Sequence, residues 1–61
     1  MAAEVESVAV IEGTRGAAQI FEVWDGGRLI EYQVRFGNEV TSCRNLGEAY
    51  IVAGEKAGAK T

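Results

Sequence analysis

Along residues 28–36 hydrophobic and polar side chains alternate: Ile30, Tyr32, Val34 and Phe36 are separated by Glu31, Gln33 and Arg35. A period of two is the mark of a strand with one face buried and the other in water. Three further segments are of the same kind, though less regular. Residues 5–12 are rich in β-branched side chains, residues 17–24 carry Ile20, Phe21, Val23 and Trp24, and residues 39–44 form a short fourth strand. The turns between them are Gly13-Thr14-Arg15-Gly16, Asp25-Gly26-Gly27 and Gly37-Asn38, the second a strong hairpin signal.

The pattern changes at Asn45. Asn is a favoured N-cap, and Glu48 three residues later completes a variant of the capping box. Leu46, Ala49, Tyr50, Ala53 and Ala57 then recur at helical spacing, which predicts an amphipathic helix over 46–57 with these residues on its core face. The predicted fold is α+β. A four-stranded antiparallel β-meander is followed by one C-terminal α-helix packed on one face of the sheet, with residues 1–61 forming one small domain.

The faces follow from the turns. If each hairpin closes with a two-residue loop, cross-strand partners share a face. A Gly26-Gly27 loop pairs Val23 with Ile30 and Phe21 with Tyr32, and an Asp25-Gly26 loop keeps the same faces. The helix side then holds Val8, Val10, Phe21, Val23, Ile30, Tyr32, Val34, Phe36, Thr41 and Cys43. The far side holds Ile11, Ile20, Glu22, Trp24, Leu29, Glu31, Gln33, Arg35 and Val40. One helix covers one face only, so Ile20, Trp24, Leu29, Arg35 and Val40 form a candidate interface. A second candidate lies on the helix, where Gly47, Ile51, Gly54 and Gly58 make a stripe about a quarter-turn from the core face. There glycines would admit another backbone. A different loop parity would invert the first candidate, or strand twist would tuck Trp24 under a terminus, and a short terminal helix tolerates such glycines or frays.

Length sharpens the case for a partner. A chain of 61 residues buries only about 60% of the surface it exposes when unfolded. Disulfides, a metal or a second subunit commonly supply the missing stability. The lone Cys43 forms no internal bridge, and one thiol without any histidine assembles no zinc site. Oligomerisation is the route left open, and a homodimer is expected. Nine acidic against six basic residues give a net charge of −3, which disfavours nonspecific binding to phosphate backbones. The free thiol suits a reducing cytoplasm. The acidic start, Met1 to Glu6, lacks the basic-then-apolar order of a signal peptide. No apolar run approaches the roughly 18 residues of a membrane span.

Candidate chemistry is sparse. Without histidine there is no Ser-His-Asp or Cys-His catalysis. Cys43 reads as a small buried apolar residue. Glu22 and Glu31 would serve as an acid–base pair only if enclosed in a cleft. The tail Gly54 to Thr61 superficially resembles a phosphate-binding loop. Ala59 stands at the second required glycine, no strand leads in, and the sequence ends where the cradling helix should begin. It reads as a fraying helix end. No catalytic, cofactor or metal residue is assigned.

A sheet followed by one helix resembles, in order and length, the plant DNA-binding domains whose sheet reads the major groove. Here such a face would offer Arg35, with Arg28 and Arg44 near its edges, alongside Glu22 and Glu31. A groove-reading face carries several arginines and little acid. The expected function is therefore a non-catalytic binding protein, acting through protein–protein interaction as an accessory or inhibitory factor. Compact acidic proteins of this kind are frequent among phage- and plasmid-encoded regulators, including anti-CRISPR and anti-restriction proteins. A nucleic-acid-binding or transcription-regulating domain is the alternative, and a subunit of a larger enzyme complex the third.

Overall fold

The computed structural model describes residues 3–59. Its elements are β1 (Glu4–Gly13), β2 (Gly16–Asp25), β3 (Arg28–Phe36), β4 (Glu39–Cys43) and α1 (Leu46–Ala57). The strands form one antiparallel sheet in the order β1-β2-β3-β4, and α1 packs on one of its faces. This is the predicted α+β meander.

The turns are those the glycines mark. Asp25 pairs with Arg28 across Gly26 and Gly27, whose φ angles are 61° and 80°. Two successive positive φ angles are what a type I′ hairpin requires, and its twist matches that of the strands. Trp24 then opposes Leu29 as expected. Beyond this pair the ladder skips a residue: Val23 opposes Glu31, and Ile30 is left without a partner.

That one extra residue overturns the expected faces of two strands. Side chains alternate, so a shift of one turns every following residue of the neighbouring strand over. The expected Val23–Ile30 and Phe21–Tyr32 pairs are replaced by Val23–Glu31 and Glu22–Tyr32. β1 follows β2, with Ala9 opposite Ile20 and Ile11 opposite Ala18, and a second shift leaves Val8 unpaired between Ser7 and Ala9. Ile11 and Ile20, expected on the far side, belong to the helix side. Val10, Phe21 and Val23 go the other way. Ile30 and Val8, expected beneath the helix, are 58% and 41% exposed.

β3 beyond the bulge and β4 lie as predicted. Val34 opposes Thr41 and Tyr32 opposes Cys43. Val34 and Cys43 are buried, and Tyr32 and Phe36 pack against them.

The core is thin and built from small side chains. Among the described residues its seven buried members are Ala18, Ile20, Val34, Cys43, Ala49, Ala53 and Ala57, of which only Ile20 and Val34 are large and fully buried. Val52 flanks the helix alanines on one side, so the buried stripe centres on Ala49, Ala53 and Ala57. Leu46 and Tyr50, expected within it, fall on its margin and are 37% and 45% exposed.

Both helix ends are tied. Asn45 is extended (φ −148°, ψ 168°), and its Oδ1 accepts the Glu48 N–H at 2.8 Å. Glu48 Oε1 accepts the Arg44 N–H at 2.7 Å, one residue before the cap. At the other end Gly58 adopts φ 76°, and the Ala59 N–H donates to the Gly54 carbonyl at 2.9 Å. This left-handed cap satisfies carbonyls that a helix end otherwise leaves open. The β1–β2 turn completes the tie, the Arg15 N–H donating to the Ala57 carbonyl at 2.7 Å. A Cβ on Gly13 would stand 2.4 Å from the Ala57 carbonyl oxygen, so only glycine admits this approach. The helix end expected to fray is docked. Lys60 and Thr61 of that tail lie outside the described residues.

Candidate functional site

The face of the sheet away from α1 carries no other element of the described residues. β1 contributes Val5 and Val10, β2 contributes Phe21 and Val23, and β4 contributes Val40, as the strand pairings dictate. Val5, Val10 and Val40 are 44%, 48% and 57% exposed. Phe21 and Val23 are half-buried. These apolar side chains flank a polar line on β3.

That line is internally satisfied. Gln33 Nε2 donates to Glu31 Oε2 at 3.1 Å, and Arg35 Nη2 donates to Gln33 Oε1 at 3.1 Å. Ser42 Oγ on β4 donates to Glu31 Oε2 at 3.3 Å. The Arg35 guanidinium stands 4.6 Å from the centre of the Phe21 ring, a cation–π contact. One acid and one base thus compensate each other along a single strand, and each already has partners.

Of the five residues expected at the interface, this face unites only Arg35 and Val40. Ile20 has no exposure at all; it fills the core, because the bulge at Ile30 turns β2 over. Trp24 is in phase with Ile20 and Glu22, so it and its partner Leu29 stand on the helix side. They sit in the hairpin arm that runs past Cys43, the last residue of β4. There Trp24 Nε1–H donates to Glu22 Oε1 at 3.0 Å. The residues missed are Val5, Val10, Phe21 and Val23. The doublet Leu29-Ile30, two apolar residues in succession beside a tight turn, was the available signal for a bulge.

The helix stripe fares differently at each position. Ile51 is 65% exposed, and a Cβ on Gly54 would meet nothing within 4 Å. Together with Tyr50, Glu55 and Ala59 they line a shallow depression of about 310 Å³. Gly58 is committed to the helix cap against Thr14 and Arg15. Gly47 adjoins the N-cap, where a Cβ would lie 3.3 Å from Asn45 Oδ1.

Chemistry finds little footing. Cys43 is buried, and its thiol is pushed above its ordinary value by burial first, then by the charges of Glu48 and Glu31. The reactive thiolate is correspondingly disfavoured. Glu22 and Glu31 point to opposite faces of the sheet and form no acid–base pair. Among the described residues no group of three or more His, Cys, Asp or Glu side chains is placed to hold a metal ion. No helix among them is long and apolar enough to cross a membrane. No protein-family model matches the chain, and neither a curated protein nor a solved structure shows a significant match to it.

Proposed function

We propose that this chain is a small non-catalytic binding protein that works by protein–protein contact, with the open sheet face as its contact surface. The observation that carries this is the composition of that face. Exposed apolar side chains adjoin a polar line whose hydrogen bonds and charges are met from within. The centre of such a surface loses little on desolvation, because no lone charge there has to be stripped of water. Nucleic acid is served poorly by it. Its central arginine, Arg35, is engaged by Gln33 and Phe21, Arg28 stands opposite Asp25, and its acids Glu12 and Glu31 repel phosphate.

An accessory or inhibitory factor would act this way, by covering a surface of a larger protein. A phage- or plasmid-encoded inhibitor is one such setting, and a cytoplasmic location suits the single unbridged cysteine. The test is affinity capture with immobilised wild type beside a bait carrying Val10→Lys and Val40→Lys. Proteins held by the wild type and lost by the variant support the reading. Equal capture by both, or retention of the wild type on DNA at moderate salt, counts against it.

A further inference from the structure

We propose that two copies of this chain pack open face to open face, giving a helix–sheet–sheet–helix dimer. The dimer rests on the open face being a protein-binding surface, as argued above, and names its occupant. The need for it is visible in the core. Among the described residues four of the seven buried ones are alanines, and nine large hydrophobic side chains are more than a third exposed. Three of those nine, Val5, Val10 and Val40, lie on the open face, next to the half-buried Phe21 and Val23.

The face is suited to its own copy. At its centre the charges of Glu31 and Arg35 cancel, and Asp25 opposes Arg28 beside the hairpin turn. Glu12, in phase with Val10, stands at the far end of β1, so stacking the centre on its copy buries no net charge. Four strands about 4.8 Å apart and up to ten residues long give a flat footprint of roughly 500 Å². Side-chain relief enlarges the accessible area. A standard interface buries about 800 Å² per partner, so this is a small interface and the dimer should dissociate on dilution. Pairing through the free edge of β1 is less favourable. The shift at Val8 interrupts the ladder, and antiparallel pairing of β1 with its copy about Val8 sets Glu4 against Glu12. β4, the other edge, is only five residues long.

Charge also selects the two-fold axis. In face-to-face stacking the axis lies in the interface, either along the strands or across them. An axis along the strands brings the row of Arg35 over the same row of the other copy. An axis across them at Gln33 brings Arg35 of each copy over Glu31 of the other, since the two residues stand about 13 Å apart on one strand. Opposite charges then meet at two symmetric points. The second arrangement is the one proposed.

Sedimentation velocity over a concentration series tests the dimer, with circular dichroism reporting that each variant is folded. Wild type is expected to dimerise reversibly. Val10→Lys with Val40→Lys should weaken self-association about a hundredfold or more, without unfolding a single copy, in which both positions are exposed. Trp24→Lys, on the helix side, should leave association unchanged. Arg35→Glu should weaken it, and adding Glu31→Arg should restore it. A wild type that stays monomeric at its highest soluble concentration overturns the dimer. So does one whose association survives the valine substitutions but is lost with Trp24→Lys. If that monomer still captures a protein that the valine variant loses, the dimer alone falls and the binding reading stands. Weakening by Arg35→Glu with no recovery in the double variant overturns the axis across the strands.

Discussion

On the face beneath α1 the sheet sets Ala9, Ala18 and Ile20 against three helix alanines, while on the opposite face stand Val10, Phe21 and Val23. Much of the larger apolar surface of β1 and β2 is therefore on the side without a helix. The cause lies in how close α1 comes. Its alanines and the glycine at Gly13 let the helix and the β1–β2 turn approach until backbone groups bond directly, Arg15 N–H to the Ala57 carbonyl. Beneath the helix the sheet sets the small Ala9 and Ala18 beside only two large fully buried side chains among the described residues, Ile20 and Val34. Tyr32 and Phe36 pack against that contact from β3, while Phe21 and Val23 stand on the opposite face. Hydrophobicity alone does not choose which face is covered; the fit to the covering element does.

The largest effect should separate the two faces directly. Ile20→Ala removes one of the two large fully buried side chains and should cost about 2–5 kcal/mol, whereas Val10→Ala should change the stability of a single copy by less than about 0.5 kcal/mol. Urea unfolding at concentrations low enough to dissociate any dimer compares them. Equal losses would mean that the two positions are buried alike, and a larger loss at Val10 that the faces are inverted. An intermediate effect is expected at the helix start. Asn45→Ala removes the acceptor of the Glu48 N–H and should cost about 0.5–2 kcal/mol, read as a lower melting temperature. An unchanged melting point would place the cap elsewhere.

The smallest effect concerns an ion pair at the margin of the covered face. Lys56 Nζ stands 2.6 Å from Glu39 Oε1, and the hydrogen bond and charge of Lys56 hold the Glu39 carboxyl below its ordinary value of 4.5. A carboxyl lowered in the folded state contributes stability above its ordinary value and loses it as pH falls through the lowered one. Glu39 is open to solvent, and such pairs contribute little. Lys56→Met should leave the melting temperature at pH 7 almost unmoved, and should slightly flatten its fall below pH 4.5. A large change at pH 7 would show that the pair, and not the alanine contact, holds α1 on the sheet.

What the sequence by itself determined was local. The alternation of Tyr32 to Phe36, the turn at Gly26-Gly27, the Asn45 cap and the helix over 46–57 each depend on a few neighbouring residues, and all are found where the pattern puts them. The polar line Glu31, Gln33 and Arg35, with Val40, was legible for the same reason. What only the tertiary structure decided was relative. Whether Ile30 bulges depends on how two strands and the element above them settle together, and that single residue sends Ile20 into the core and Phe21 and Val23 to the open face. The docking of Gly58 on Thr14 joins positions 44 residues apart, and no short window of sequence contains both. Local geometry is set by steric preferences within a few bonds, whereas the choice of face is set by packing between segments, and a shift of one residue reverses it.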